Sequence, residues 1–252
     1  MTTSRGYHLM RQEIAGSESL MQHIGRKVAS MRSLWHGGAG QQTAFQSSAY
    51  WQERYRQGSN SGSGSYGRLA LFKAEIINRF VKEHGIADII EFGCGDGAQL
   101  TLAEYPRYIG VDVSASAVSL CRRMFSGDPG KTFLEAGNEE SNEARAEMAM
   151  SLDVIYHLVE DDVYETYMRR LERSATRFVC VYSSNVELPG HVPHIRHRCF
   201  TDWFARNAPQ WALSDYVRNR YSYDVANPTE TSWADFYFFE RRPATVTIPF
   251  TT

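Results

Sequence analysis

Apolar residues recur along this chain with two periods, and the two alternate. Leu69, Phe72, Ile76, Ile77 and Phe80 fall three or four apart, which puts them on one helical face and predicts a helix over Leu69–Glu83, stopped by Gly85. Asp88–Phe92 is a short apolar run closed by glycines and reads as a strand. Next the pattern predicts a helix over Ala98–Tyr105 closed by Pro106, a strand over Tyr108–Val113, a serine-capped helix over Ser116–Phe125 and a strand over Thr132–Ala136. Ala144–Leu152 leads into a fourth strand, Asp161–Ser174 is a helix, Arg177–Tyr182 a fifth strand and Thr201–Asn207 a helix. Trp211–Arg220 and Ala234–Arg241 are the final strands. Strands separated by helix-length segments imply βαβ units and a parallel sheet. The final two are joined by Tyr221–Trp233, too irregular for a crossover helix, and so are expected as an antiparallel pair at the sheet edge. The expected class is α/β: a seven-stranded, mostly parallel sheet with an antiparallel last strand.

What precedes Leu69 has a different texture. Residues 1–45 are rich in Ser, Gly, Gln and Arg, with one or two short helices expected within Ile14–Met31. Residues 46–68 join an aromatic cluster (Tyr50, Trp51, Tyr55) to a Gly/Ser loop, Gly58–Gly67. The expected organisation is therefore an N-terminal helical extension (1–45), a lid segment (46–68) and a domain (69–252). At 252 residues the chain has room for one sizeable α/β domain with an extension.

Composition adds little beyond this. A formal charge of −2 exerts no overall pull toward nucleic acid or a membrane surface. No apolar stretch approaches the ~20 residues needed to span a bilayer. Met1–Gly16 is interrupted by Arg5, His8, Arg11 and Glu13, so it does not read as a secretory leader, and a cytoplasmic location is expected. The four cysteines show no CxxC spacing and sit in or beside apolar runs, as buried thiols would in a reducing compartment.

The chemistry concentrates after the first strand. Glu91-Phe92-Gly93-Cys94-Gly95-Asp96-Gly97 follows that strand and opens the next segment; glycines there let the backbone turn sharply and approach a ligand closely. Gly93, Gly95 and Ala98 also satisfy the dinucleotide fingerprint. Asp112 ends the next strand about 20 residues on, where a carboxylate can accept from both hydroxyls of a ribose. A helix-capping role for Asp112 is the alternative. A nucleoside-containing ligand is indicated, with NAD and S-adenosylmethionine both open at this point.

Four motifs in register give the chain a resemblance to the class I S-adenosylmethionine-dependent methyltransferases, over roughly Tyr50 to Arg241. Glu91 and the glycines match the family's E/D-x-G-x-G-x-G pattern, and Asp112 its ribose-binding acid. Phe133–Asn138 lines up with the segment whose final Asp contacts the adenine amine, here with Asn138 in place of that acid. Ser151–Leu158 resembles the fourth-strand motif, with Tyr156 where a first His commonly stands. The resemblance implies a Rossmann-like sheet and S-adenosylmethionine as cofactor. It implies a cofactor site formed by Tyr55, Tyr66, Arg68, Glu91, Gly93, Cys94, Gly95, Asp112, Val113, Asn138 and Leu152. Tyr50, Trp51, Tyr55 and Tyr66 resemble the N-terminal cover of many such enzymes; aromatic faces stabilise a sulfonium and keep water out. Arg68 could pair with the methionyl carboxylate. Simple packing of Trp51 and Tyr55, and a solvated Arg68, are the alternatives.

Ligands of open α/β sheets bind at the carboxyl ends of the strands. His157 is the candidate general base there, with Asp153 as a second candidate. Tyr156, His191, His194, Arg196 and Arg198 are the candidate acceptor-binding residues. Three histidines at 191, 194 and 197 invite a metal reading, but Pro193 breaks the helical face and no carboxylate is placed as a fourth ligand, so no metal is expected. The basic run suits an anionic acceptor such as a phosphate, uronic acid or carboxylate. The leading expectation is O-methylation of a small-molecule or sugar acceptor in natural-product or polysaccharide biosynthesis, with a homodimer left open. The competing expectations are an RNA methyltransferase, a non-catalytic S-adenosylmethionine-binding partner protein, and a NAD oxidoreductase.

Overall fold

The computed structural model describes residues 45–189 and 192–243. The helices expected within Ile14–Met31, together with His191, lie outside the described residues. The first described element is helix α1 (Ser47–Arg56). Helix α2 (Gly67–His84) carries the predicted apolar stripe, and Leu69, Phe72, Ile76, Ile77 and Phe80 are all buried. Gly85 ends it with φ 62, the left-handed conformation that glycine adopts without steric cost.

The sheet strands are β1 (Asp88–Phe92), β2 (Arg107–Asp112), β3 (Lys131–Glu135), β4 (Ala146–Leu152), β5 (Ala175–Ser183), β8 (Trp211–Val217) and β9 (Asp235–Arg241). They assemble in the order β3-β2-β1-β4-β5-β9-β8. The first five pair in parallel, and β9 runs antiparallel to both β5 and β8. The mostly parallel sheet with an antiparallel last strand is thus the architecture observed. Helix α3 (Ala115–Met124), α5 (Asp161–Ser174) and α6 (Phe200–Asn207) supply the crossovers, with a short α4 (Glu139–Glu143) after β3. One large aromatic cluster holds α2 to the sheet: Phe80 stacks on Phe238 at 4.0 Å, and Phe72 meets Tyr182 and Phe236 edge-on or tilted. Burying each such ring contributes about 2–3 kcal/mol.

Three local expectations are corrected. Only a 3-10 turn, Gln99–Leu102, forms where a helix was predicted over Ala98–Tyr105. Asn78 of α2 takes its backbone groups instead: Nδ2 donates to the Leu102 carbonyl, and Oδ1 accepts from the Glu104 amide. The serine cap of α3 is Ser114, whose side chain accepts from the Ala117 amide, so the helix starts at Ala115. β8 stops at Val217 because Asn219 turns inward, Nδ2 donating to the Tyr182 hydroxyl. The pattern also gave no sign of a two-residue pairing of β6 (Leu188–Pro189) with β7 (Arg196–His197).

Candidate active site

The loop after β1 is shaped by what touches it. Gly93 has φ +84, and a Cβ there would lie 2.4 Å from Cγ2 of Val154. Gly95 has φ +59, and its Cβ would lie 2.3 Å from Oγ of Ser61 and 2.8 Å from the Tyr55 hydroxyl. Asp112 ends β2 beside this loop and is buried. Its Oδ2 accepts from the Gly95 amide and its Oδ1 from the Ser114 amide, each at 2.9 Å. Burial raises its pKa, while those amides oppose the rise. Glu91 is likewise buried, and burial pushes its carboxyl up to about 7 even though Oε2 accepts from the Tyr108 hydroxyl at 2.7 Å. A cavity of about 340 Å³ opens at these strand ends, with Tyr55, Glu91, Gly93, Cys94, Asp112, Val113, Leu152, Asp153 and His157 among its lining. The neighbouring Cys121 thiol, with burial, keeps the Cys94 thiol well above its ordinary range.

The segment expected as a lid packs over the glycine loop. The Ser61 amide donates to Oδ2 of Asp96 at 2.8 Å, the Tyr66 hydroxyl donates to the same oxygen at 2.7 Å, and the Asp96 amide donates to Oγ of Ser61 at 3.0 Å. The entry to α1 is tied to the other side of the cavity. Ser47 donates from its amide and hydroxyl to the Glu160 carboxylate, and its hydroxyl also lies 2.8 Å from the His157 carbonyl.

Asp153 follows β4 with φ 60, a left-handed conformation that is strained for a residue with a side chain. Its Oδ1 accepts from the Tyr156 hydroxyl at 2.8 Å and its Oδ2 from Lys73 Nζ at 2.7 Å. Lys73 is only 1% exposed and lines the cavity. His157 places Nδ1 3.0 Å from the His194 carbonyl, which can only accept, so Nδ1 carries the proton and Nε2 holds the free lone pair. Burial lowers the imidazole pKa to about 4. The ring is held edge-on to Trp51 at 4.8 Å and stacked with His194 at 5.7 Å, and His194 stacks on Tyr50.

The remaining candidates stand elsewhere. Tyr66 reaches the site only through Asp96. Arg68 does not face the cavity: it donates to the Glu230 carbonyl, pairs with the Glu230 carboxylate at 3.2 Å and lies over Tyr221. Asn138 is exposed and caps α4, its Oδ1 accepting from the Ser141 amide, while Ala136 lines the cavity. Tyr156 acts on Asp153. Arg198 is buried with its guanidinium spent on Asp161 and on the Leu158 and Val159 carbonyls. Arg196 shares Asp161 and lines a separate hollow beside β6 and β7. The two arginines therefore tie the β7 strand to the start of α5 and present no cationic face to the cavity. Among the described residues no group of three or more His, Cys, Asp and Glu could hold a metal ion, and no helix is long and apolar enough to cross a membrane.

Lys73, Gln99 and Arg170 are among the cavity residues that escaped the sequence reading. Lys73 left a signal, since it stands four residues beyond Leu69 on the buried stripe of α2, where an unpaired charge is costly. Gln99 and Arg170 left none, because each looks like an ordinary helix-surface residue.

Comparison with known proteins agrees with this architecture. The N-methyltransferase NodS from Bradyrhizobium japonicum WM9, solved with S-adenosyl-L-homocysteine, superposes with a TM-score of 0.60 at 12% identity, covering 77% of this chain and 98% of that one. Magnesium protoporphyrin IX methyltransferase from Synechocystis PCC 6803, also with the demethylated cofactor, gives 0.56 at 13% identity, covering 77% and 97%. The methyltransferase domain of bacterial CtHen1 gives 0.53 at 15% identity, covering 68% and 97%. No family model and no curated protein matches the chain in sequence. The fold is that of the class I S-adenosylmethionine-dependent methyltransferases.

Proposed function

We propose that this chain binds S-adenosylmethionine in the cavity at the ends of β1, β2 and β4, and transfers its methyl group to a small-molecule acceptor entering beside His157. The observation that carries the reading is Asp112. Both its oxygens are fixed by backbone amides at the end of β2, beside a glycine loop whose Cβ positions are sterically closed. That arrangement leaves lone pairs for the two hydroxyls of a ribose. An orphaned acceptor supports a cationic ligand: Oε1 of Gln99 is shielded from water with no partner, and Gln99 lines the same cavity as Glu91. The two together suit the ammonium of the methionyl tail, and Lys73 takes the place on the carboxylate expected for Arg68.

S-adenosylmethionine when bound supplies an electrophilic methyl on a sulfonium. The chain's own contribution is alignment, exclusion of water by Trp51, Tyr55 and the 58–67 loop, and removal of the acceptor's proton. Nε2 of His157 suits the last task, being unprotonated at neutral pH on a ring that lines the cavity. The oxygen–methyl bond would form as the sulfur–methyl bond breaks, with the acceptor proton passing to Nε2. With Arg196 and Arg198 both engaged by Asp161, an uncharged hydroxyl acceptor fits better than an anion.

The test is titration of Asp112→Ala with S-adenosylhomocysteine by calorimetry. Loss of the ribose contacts should weaken binding by about 2–3 kcal/mol, roughly 30- to 150-fold. A loss below about threefold would remove Asp112 from the ribose and with it the reading.

A further inference from the structure

Arg170 is the cavity residue for which the reading above finds no use. It stands on the face of α5 that also turns Val163, Thr166 and Tyr167 to the cavity, and its guanidinium lies 5.0 Å over the Phe92 ring. Nε and Nη2 are both shielded from water, and neither has a hydrogen-bond partner among the described residues. No carboxylate among the described residues pairs with it, and the like charges of Arg173 and Arg145 lie near enough to disfavour its ionised form beyond the effect of burial. A guanidinium has donors only and stays charged, so leaving two of its nitrogens bare inside a protein is costly. For Nε and Nη2 neither the described residues nor solvent supplies an acceptor, which leaves a ligand in the adjoining cavity to do so.

The purine is the part of the proposed ligand that needs a reader. The side chain expected to contact adenine, Asn138, is exposed and occupied in capping α4. Ala136 and Val113, flanking the ribose acid, line the cavity but offer no side-chain hydrogen bond. We propose that Arg170 is the base-recognising residue of this cavity, its planar guanidinium held on Phe92 and donating to the ring-nitrogen acceptors of adenine. The inference rests on the nucleoside reading of the cavity and changes one part of it: recognition of the base moves from the segment after β3 to α5.

The test uses the full chain and three measurements on Arg170→Met and Arg170→Lys: binding of S-adenosylhomocysteine, binding of adenosine, and thermal melting without ligand. Arg170→Met should weaken both ligands by the same factor, about 10- to 100-fold, because both carry the base. It should leave the melting temperature unchanged or raised, because two shielded donors without partners have been removed. Arg170→Lys should recover only part of the affinity, since an ammonium lacks the flat, multi-donor fork. A purely structural role on Phe92 would give the reverse, a lowered melting temperature with ligand affinity intact, and would overturn the inference. Loss confined to S-adenosylhomocysteine, with adenosine unaffected, would move Arg170 to the amino-acid tail and would also overturn it. So would inorganic phosphate that competes with adenosine in the wild type and not in Arg170→Met, since the residue would then serve an anion. If the wild type binds neither S-adenosylhomocysteine nor adenosine, the nucleoside reading itself fails; normal wild-type binding with an unchanged Arg170→Met refutes this inference alone.

Discussion

Replacing Lys73 by Met isolates a buried ion pair beside the candidate active site. Lys73 Nζ meets Oδ2 of Asp153 at 2.7 Å, with the two side chains 1% and 16% exposed, and Nζ also lies 5.4 Å from the centre of the Tyr182 ring. Met fills nearly the same volume, so the change removes charge more than packing. Breaking a buried pair by removing one partner costs about 3–5 kcal/mol, because the other charge is left without compensation. Asp153 keeps the Tyr156 hydroxyl on Oδ1, which places the expected loss near the lower end, about 3 kcal/mol. Asp153 is also held at φ 60, a conformation costing about 1–3 kcal/mol that the surroundings must impose, so a freed carboxylate should let the 153–157 turn relax. For a domain of this size, 3 kcal/mol lowers the melting temperature by roughly 6–12 °C. The assay is a cycle of Lys73→Met, Asp153→Asn and the double variant, each melted in urea. The double variant should be more stable than Lys73→Met, with a coupling of about 2 kcal/mol. A Lys73→Met loss below about 0.5 kcal/mol, or strictly additive variants, would refute the claim that the pair organises this end of the cavity.

Other consequences follow from the same geometry. Glu91, pushed up to about 7 by burial, is mostly neutral at pH 6 and mostly ionised at pH 8. A cationic ligand favours the ionised form, so S-adenosylmethionine affinity should rise through this range by up to about tenfold per pH unit below the free pKa, and calorimetry on Glu91→Gln should show a flat profile. His157→Ala should lower turnover about 10²–10⁴-fold with little change in cofactor affinity. At saturating S-adenosylmethionine the wild-type activity profile should have its acidic limb near pH 4, where burial places the imidazole; a limb near pH 6.5 under that condition would contradict the placement. Gly95→Ala puts a methyl 2.3 Å from Ser61 Oγ at a left-handed φ, so it should displace the 58–67 loop. Limited proteolysis should then cleave that loop faster than in the wild type, and an unchanged rate would mean the loop is not seated by Gly95.

The sheet was legible because its strands and α2 are bounded by sharp signals. Gly85 ends the helix, glycines end β1, and the apolar runs of β1, β4 and β5 have no competing period. The Ala98–Tyr105 segment misled because its residues favour a helix, and Asn78, about 20 residues back, claims the backbone groups that would have extended it. The nucleoside end of the site was legible for a related reason. Glu91, Gly93, Gly95 and Asp112 are near in sequence, and adjacent parallel strands bring them together. Arg68 and Lys73 show the limit. The sequence offers both on one helix, and what decides between them is the pairing of Arg68 with Glu230 and of Lys73 with Asp153, contacts that span the fold. Arg196 and Arg198 look like a free basic run until Asp161 is placed beneath them.

Titration of the unmodified chain with S-adenosylmethionine, S-adenosylhomocysteine and NAD tests the central claim most directly. Both sulfur-containing nucleosides should bind at one site with dissociation constants in the micromolar range, displacing each other, while NAD should give no heat above dilution. Binding of NAD in preference to S-adenosylmethionine would contradict the assignment of the cavity, however well the fold agrees.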